Sequence, residues 1–592
     1  MAELHRPLIS VADSSVKMLS MSEHMRAGAI LRSCVSGMRN LRSARIKRVA
    51  LVVLVLVVFL YFRRDRILTF SVANPDEAEL LASGRRAMQS MVPYERFTSP
   101  TYGPAWALGL GLLGRLGFPL SLPFAHLLSA VISATTCALT AYVALRHRGT
   151  KFAALSIAPL VVYWGFGFNH QDYWSLSTEQ LPMLIILVGC AIASLSWSSN
   201  KWILVGAAFV GFGTWSKYLF GLVGLSILLT LTLRLCRRGL RWYRAVAAVL
   251  LASNAVTLLF YLLALAKGVP LDSVLESVEM TIDYIRGGGA GGMGDIPSVP
   301  LTSRLSALGS GLLTFVPLLP LVLDSFRDAS VRLKRVDGRR FPTLEVSELG
   351  GPFIVVSGLI TLCASPIIFP HYNYILITSC LAAFMTCLPE TLGQEKYPKE
   401  LISSRLFVGT MRLNLTVLFV VLLVVSPSFG GVTRVEPSIS LGQILSEDKG
   451  RWERAFDDQG NPLSEVCGPD SYAFVWGWSP EVYAFYDWRP ASRFVAPAGM
   501  IDGNNLNLEV GPLREKLTRE LLDEAPDCVV DAIGPSFFPG YGPDASMKKQ
   551  MPSLWNTLSK NGVERIYYWD RVNPVLVLIR GRNELGPEPN MP

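Results

Sequence analysis

The chain has a long apolar middle and two polar ends. Residues 49–428 contain long apolar runs, whereas residues 1–48 and 430–592 mix polar and apolar positions as soluble sequences do. A helix rises about 1.5 Å per residue, so a run of about 18 apolar residues can cross roughly 30 Å of hydrocarbon. About eleven such runs predict membrane-spanning helices, at residues 49–70, 121–145, 152–168, 180–198, 201–215, 217–235, 243–266, 305–323, 351–369, 372–388 and 411–428.

One apolar segment departs from this pattern. Residues 103–117 form a short run that follows Pro100 and contains Arg115. We therefore predict a juxtamembrane or re-entrant helix there, with a short true span as the alternative. The choice decides on which side of the membrane every later loop lies.

Basic residues in the predicted loops support this choice and set the orientation. Counted from a cytoplasmic N-terminus, four basic clusters fall on the inner side, as the positive-inside rule expects. They lie at residues 146–151, 237–244, 332–340 and 396–405. Arg63, Arg64 and Arg66, near the outer end of the first span, are an exception. The formal net charge of +9 is therefore attributed to topology, and nucleic acid is not expected as a partner.

This orientation divides the chain into three predicted domains. Residues 1–48 are predicted to be a cytoplasmic arm, because they are too long and basic for a signal peptide and no small-residue cleavage site follows them. Residues 49–429 form the transmembrane domain, which includes an outer juxtamembrane loop at 71–120. Residues 430–592 form an extracytoplasmic domain.

The C-terminal domain is predicted to be of the α/β class. Strand-like runs at residues 472–476, 528–532 and 575–579 alternate with helical stretches such as 511–523. Cys467 and Cys528 lie in this domain and are candidates for a disulfide if it faces an oxidising compartment. The sequence leaves their pairing open.

Three acids lie beside predicted spans on the outer side. Asp76 and Glu77 follow the first span in Asn-Pro-Asp-Glu-Ala-Glu, and Glu179 precedes a later span in Ser-Thr-Glu-Gln-Leu-Pro. Proline at a helix start and acids in the first turn are ordinary capping chemistry. Ionisable groups beside or within a span are costly, however, and are functional candidates by default. The residues alone leave both interpretations open.

Cationic and aromatic candidates occur on the same side. Lys217 lies between two apolar segments, where it either extends to the interface or holds a phosphate as a point charge. His371 and Tyr372 stand at an outward helix junction that Pro370 explains without any function. Because these residues share their side with the three acids, we predict one cleft at the membrane surface.

The order and spacing of these motifs resemble a known family. The motif Asn-Pro-Asp-Glu-Ala-Glu looks like the Asp-Glu signature of the GT-C polyprenyl-phosphate-sugar glycosyltransferases, in the branch of the protein O-mannosyltransferases and lipid A aminoarabinose transferases. Other segments are similar to further motifs of that branch: residues 99–106 to Lys-Pro-Pro-x-x-x-Trp with Ser99 for Lys, 178–182 to Thr-Asp-x-Pro with Glu179 for Asp, 214–218 to Leu-Thr-Lys-Gly without the Gly, and 371–374 to His-Tyr-Leu-Leu-Pro without the Pro. Residues 475–493 resemble a segment of the extracytoplasmic domains of such enzymes.

The resemblance implies a fold and a reaction. The fold is a polytopic α-helical membrane protein with a GT-C-like transmembrane domain and a C-terminal extracytoplasmic α/β domain, in the bacterial inner membrane. The reaction transfers a sugar from a polyprenyl-phosphate donor, which is embedded among the membrane lipids, to an extracytoplasmic glycolipid, polysaccharide or protein. The configuration at the anomeric carbon inverts. An outer-loop carboxylate acts as general base on the acceptor hydroxyl.

The resemblance also implies roles for particular residues. Asp76 is the expected base, with Glu77 and Glu179 in support. Arg85 and Arg86 follow Asp76 by about two to three turns on the same predicted helix. They are assigned to the donor phosphate or, equally, to lipid headgroups. Lys217, His371 and Tyr372 join them at the phosphate, and Tyr102, Trp106 and Arg493 are assigned to the acceptor or a lid.

Two other classes of protein remain as alternatives. A lipid or sugar transporter or flippase without transferase activity would explain the spans, but not the large outer domain, and no inverted repeat is evident. A non-catalytic scaffold that binds cell-wall polymer is the second. No metal or cofactor is expected, since no His/Cys ligand spacing occurs. The Gly-rich stretch 286–295 lacks a Gly-Lys-Ser/Thr ending, so it is interpreted as an outer loop that orders over substrate or as a plain linker.

Overall fold

The computed structural model describes a helical part up to residue 386 and a mixed α/β part from residue 455. The described residues are 44–67, 75–96, 102–165, 174–195, 199–286, 315–333, 350–364, 370–386, 455–477, 479–495, 497–500, 510–532, 543–560, 562–569 and 573–580. Most of the predicted cytoplasmic arm, nearly all of the Gly-rich stretch and the predicted span 411–428 lie outside them. The total of about eleven spans therefore stays a prediction.

Helices account for nearly all of the described N-terminal part. They are α1 (Ala44–Ile67), α2 (Pro75–Ala87), α3 (Ala105–Arg115), α4 (Leu122–Arg148), α5 (Thr150–Gly165), α6 (Gln180–Leu195), α7 (Asn200–Ser216), α8 (Gly221–Arg237), α9 (Trp242–Ala266), α10 (Leu271–Arg286), α11 (Leu319–Leu333), α12 (Gly350–Ala364) and α13 (Asn373–Thr386). Nine of the predicted spans coincide with helices to within a few residues. Near the predicted span 305–323, the described helix begins only at Leu319, after a 3₁₀ turn at Val316–Leu318.

Several helices have the character of membrane spans. Within the described residues, three are long and apolar enough to cross a bilayer: α4, α9, and α8 together with the 3₁₀ turn before it. Helices α5, α6, α12 and α13 and the start of α11 are shorter but apolar. Helices α6 and α7 approach so closely that a Cβ on Gly189 would come within 2.6 Å of the Gly206 carbonyl oxygen. Small residues at such crossings are typical of helix packing in membranes.

Helices α2 and α3 form a tightly packed pair. A Cβ on Gly84 would lie 2.6 Å from the Leu110 Cβ, and one on Gly111 would lie 2.9 Å from the Ala87 Cβ. With 11 residues, α3 is about 16 Å long and too short to cross a bilayer. The predicted short helix at 103–117 is thereby confirmed as a helix, and it lies against the helix that begins with the Asp-Glu motif.

The C-terminal part contains a six-stranded mixed sheet with strand order β1-β5-β6-β4-β2-β3. Strand β2 is parallel to β3 and β4, and the other pairs are antiparallel. The strands are β1 (Ala455–Phe456), β2 (Tyr472–Trp476), β3 (Arg489–Pro490), β4 (Cys528–Asp531), β5 (Gly562–Trp569) and β6 (Asn573–Arg580). The helices are α14 (Leu463–Val466), α15 (Glu481–Tyr486), α16 (Val510–Glu524), α17 (Met547–Gln550) and α18 (Pro552–Ser559).

This part agrees with the predicted α/β pattern. The three predicted strands and the helix predicted at 511–523 are all present. Leu513, Leu517 and Leu521 repeat every four residues and bury one side of α16 against the sheet, as a helix with one apolar stripe requires. Cys467 and Cys528 form a disulfide, which resolves the pairing that the sequence left open.

One buried carboxyl makes the stability of this part depend on pH. Asp531 ends β4 with its Oδ1 buried and without a hydrogen-bond partner, while its Oδ2 accepts a long 3.5 Å bond from the Lys548 amide. Burial raises the pKa of Asp531 from its ordinary value of 3.8 to about 7, against the smaller opposing effect of the amides of Met547 and Lys548. Between these two pH values the folded chain binds a proton that the unfolded chain does not.

The contribution of Asp531 to the stability of the C-terminal part is therefore expected to fall as the pH rises from about 4 to about 7. Replacement of Asp531 with Asn removes this ionisation, and at pH 8 it should raise the free energy of unfolding by about 2 kcal/mol or more. The measurement is the urea midpoint of unfolding of the full chain in detergent at pH 5 and at pH 8, with limited proteolysis as the readout of unfolded protein. Asp544→Asn, at an exposed acid paired with Lys549, is the matched control. A D531N midpoint equal to that of the wild type at pH 8 would contradict the expectation.

Candidate active site

The two acids at the start of α2 have different surroundings. Glu77 is fully buried, with Oε1 accepting a 2.9 Å hydrogen bond from the Leu176 amide and Oε2 lying 3.1 Å from His126 Nε2. Asp76 keeps 20% of its side chain exposed, and its Oδ2 lies 3.7 Å from His371 Nε2. The two neighbours in sequence therefore differ in accessibility, since only Asp76 has exposed side-chain surface.

A buried ion pair lies at the third predicted acid. Lys217 Nζ is 2.9 Å from Glu179 Oε1 and donates a 2.6 Å hydrogen bond to Thr178 Oγ1. Burial alone would raise the pKa of Glu179, but the electrostatic effects of Lys217 and His371 outweigh it, so the pKa is lowered. Lys217 lies directly after α7, which ends at Ser216, and its backbone is extended. Its side chain is therefore not part of the helix surface.

His371 links the two groups of side chains. It lies beside Asp76 and is close enough to Glu179 to influence its titration. Tyr372 is buried with its ring edge-on to the His371 imidazole, at 4.8 Å between ring centres. The structure thus brings together four of the residues predicted from the sequence: Asp76, Glu179, Lys217 and His371. Within the described part of the chain, no three His, Cys, Asp or Glu side chains are grouped to hold a metal ion.

The start of α3 ties this cluster together. Trp106 donates from Nε1 to the Thr178 carbonyl at 3.0 Å, and the Gly103 amide donates to the Ser216 carbonyl at 3.1 Å. A Cβ on Gly103 would come within 2.8 Å of the Trp215 carbonyl oxygen, so only glycine fits this approach. The residues before Glu179 and before Lys217 are therefore held by the same short helix.

The predicted acceptor or lid residues lie in protein contacts. Tyr102 is fully buried and its hydroxyl donates to Glu79 Oε1 at 3.1 Å. Trp106 is buried against the Thr178 carbonyl, as described above. Arg493 forms an ion pair with Glu520 and lies 4.0 Å from Glu276 Oε2 on α10. Their described contacts are with the protein itself, so an acceptor role for any of them stays a prediction.

The structure does not bring Arg85 and Arg86 to Lys217. Arg85 contacts the C-terminal part, with a 2.5 Å ion pair to Asp487 and a hydrogen bond to the Tyr483 carbonyl, and donates to the Leu120 carbonyl at 2.7 Å. Arg86 pairs with Glu524 at 2.9 Å. Their guanidinium groups attach the end of α2 to the C-terminal part instead of facing the cluster.

One residue of this site has no counterpart among the sequence candidates. His126 contacts Glu77 from inside the apolar run that forms α4. It was detectable in principle, because an ionisable residue within a predicted span is a functional candidate by default. Among the described residues, Gln180 likewise joins three elements through Ser129, the Ser175 carbonyl and the Tyr374 hydroxyl.

No family model and no curated protein matches this chain. Among solved structures, ArnT from Cupriavidus metallidurans bound to undecaprenyl phosphate is 14% identical with a TM-score of 0.46, covering 91% of this chain and 99% of the other. The same protein in the apo state is 14% identical with a TM-score of 0.44, covering 92% and 100%. Since both TM-scores are low, the function proposed below rests on the residues of the site.

Proposed function

We propose that this chain is a membrane glycosyltransferase of the GT-C type. It transfers a sugar from a polyprenyl-phosphate donor to an extracytoplasmic glycolipid, polysaccharide or protein. The observation that carries the proposal is the partly exposed Asp76 carboxylate beside His371, next to the buried Glu179–Lys217 pair. An accessible carboxylate with cations nearby suits removal of a proton from a hydroxyl and departure of a phosphate.

Asp76 is the general base in this proposal. Both oxygens of Glu77 already accept or share hydrogen bonds and are inaccessible, whereas Asp76 has exposed surface. Asp76 takes the proton of the acceptor hydroxyl while the hydroxyl oxygen forms a bond to the anomeric carbon of the donor sugar. The bond from that carbon to the phosphate oxygen breaks on the opposite face, so the configuration inverts.

Lys217 and His371 are the cations proposed for the leaving phosphate. The Glu179 carboxylate lies 2.9 Å from the Lys217 ammonium. This contact fixes the position of the ammonium but also neutralises part of its charge. A cation held in place in a low-dielectric site stabilises developing negative charge more strongly than one in water. Arg85 and Arg86 are reassigned in this proposal from the phosphate to the contact with the C-terminal part.

The orientation remains that expected from the loop charges, with the N-terminus cytoplasmic and the C-terminal domain outside. The Cys467–Cys528 disulfide supports it, since disulfides form and persist in oxidising compartments such as the bacterial periplasm. Asp76 and the C-terminal domain then lie on one side, because helix α2 contacts that domain through Arg85.

The proposal is tested by reconstitution of the full chain in liposomes. Undecaprenyl-phosphate carriers of mannose, glucose, galacturonic acid and arabinose-type sugars are supplied with an extract of bacterial envelope glycolipids and glycans. We expect release of undecaprenyl phosphate and appearance of the sugar on an acceptor with one of them. The same liposomes are assayed for translocation of a fluorescent polyprenyl phosphate. Translocation without transfer from any donor would overturn the proposal in favour of a transporter.

A further inference from the structure

A buried Glu–His pair lies directly behind the proposed base. Glu77 and His126 are 0% and 1% exposed, and their Oε2 and Nε2 atoms are 3.1 Å apart. Glu77 comes immediately after Asp76 in the first turn of α2, whereas His126 is in the first turns of α4. A carboxylate removed from water costs several kcal/mol unless it is hydrogen-bonded, so a site that retains one must bond it well.

Glu77 joins three separate elements. Its backbone belongs to α2, its Oε2 contacts His126 on α4, and its Oε1 accepts from the Leu176 amide at 2.9 Å. Leu176 lies three residues before Glu179, on the segment that leads into α6. One side chain therefore sets the distance between the helix that carries Asp76 and the segment that carries Glu179.

His126 is itself fixed in orientation. Its ring lies edge-on to Trp174, at 4.9 Å between ring centres, and Trp174 belongs to the same segment as Leu176. The guanidinium of Arg66 lies 5.5 Å above the Trp174 ring from the outer end of α1. A second anchor from α4 reaches this segment at Ser129, whose hydroxyl donates to the Ser175 carbonyl at 2.9 Å.

We propose that His126 is a positioning residue for sugar transfer, which acts through Glu77 to hold Asp76 and Glu179 at their working separation. The inference rests on the proposed function. Loss of the His126 hydrogen bond leaves the buried Glu77 carboxylate short of a partner, so the start of α2 and the segment at Leu176 shift relative to each other. A misplacement of about 1 Å in a catalytic constellation costs about a hundredfold in rate.

The test compares three variants of the full chain. His126→Phe keeps a ring against Trp174 but cannot bond Glu77, whereas His126→Gln retains an amide N–H that can. Thr136→Val, on the same helix, removes a hydroxyl bonded only to the Ile132 carbonyl in the described contacts and is the control. We expect H126F to lower kcat by about 10- to 100-fold with the KM for the donor and the Kd for undecaprenyl phosphate unchanged. H126Q should recover most of the rate, and T136V should match the wild type.

Hydrogen exchange gives a readout that needs no donor sugar. In H126F the amide of Leu176 should exchange faster, because its acceptor Glu77 is no longer held, whereas T136V should leave it unchanged. Unchanged exchange at Leu176 in H126F, or a kcat equal to that of T136V, would overturn the positioning role. If Asp76→Asn is inactive while H126F is fully active, the proposed function stands and only this inference fails. Full activity of Asp76→Asn would instead refute the base assignment, while the exchange data still decide the role of His126.

Discussion

Replacement of Asp76 with Asn is expected to lower the rate of sugar transfer by about a hundred- to ten-thousandfold, the usual contribution of a general base. The amide occupies the same space but cannot take the acceptor proton. The Asp76 side chain is partly exposed, and asparagine has nearly the same shape. We therefore expect nearly unchanged stability and an unchanged Kd for undecaprenyl phosphate.

The comparison needs an acid whose charge has no part in the site. Asp470 is 71% exposed in the C-terminal part and pairs with Arg489, so Asp470→Asn changes the net charge equally and should transfer sugar at the wild-type rate. Initial rates for D76N, D470N and the wild type are measured over a range of donor concentrations. A D76N rate within a few-fold of D470N would show that Asp76 is not the base.

The second large effect is expected from Lys217→Met. This change removes one partner of a buried ion pair and leaves the Glu179 carboxylate, which is 0% exposed, without its cation. Breaking such a pair typically costs about 3–5 kcal/mol, whereas replacing both partners by neutral residues is often close to neutral. The double variant K217M/E179Q should therefore recover most of the stability but none of the transfer, because the cation for the leaving phosphate is absent.

Arg148 offers a matched control for this experiment. Its buried ion pair with Asp324 is also 2.9 Å long and lies at the opposite end of α4 from His126. Arg148→Met should destabilise the chain comparably, while the molecules that remain folded keep their rate of transfer. Thermal unfolding in detergent and transfer rates normalised to folded protein separate the two effects. Recovered transfer in K217M/E179Q would exclude Lys217 from the reaction.

Much of the fold follows from the sequence because hydrophobic burial acts along continuous stretches. The apolar runs mark the helices, and the four-residue spacing of Leu513, Leu517 and Leu521 marks the buried side of α16. The acids beside the spans were also recognisable, since a charge next to hydrocarbon is costly and needs a reason. The disulfide could be predicted only as a candidate, because Cys467 and Cys528 are 61 residues apart and the sequence does not show that β4 lies beside the end of α14.

The roles of several site candidates could not be predicted, because they depend on side-chain partners that are distant in the sequence. Helical spacing places Arg85 two to three turns after Asp76, but its acidic partner Asp487 is 402 residues away. Nothing local distinguishes an arginine that meets this partner from one that meets a lipid phosphate. Glu77 and Asp76 are likewise adjacent and chemically equivalent in the sequence. The two acids differ only in the folded structure, where the Glu77 carboxylate forms a hydrogen bond with His126, 49 residues away.

The attachment of α2 at both of its ends has a consequence for biogenesis. The first turn of α2 is held by α4 through Glu77. Its last turn is held by Asp487 and Glu524, which follow their arginine partners by 402 and 438 residues and are therefore synthesised much later. Newly inserted helices would therefore lack the contacts at the end of α2 until the C-terminal part has folded. In the proposed function, sugar transfer would therefore begin only after the C-terminal part has folded against α2.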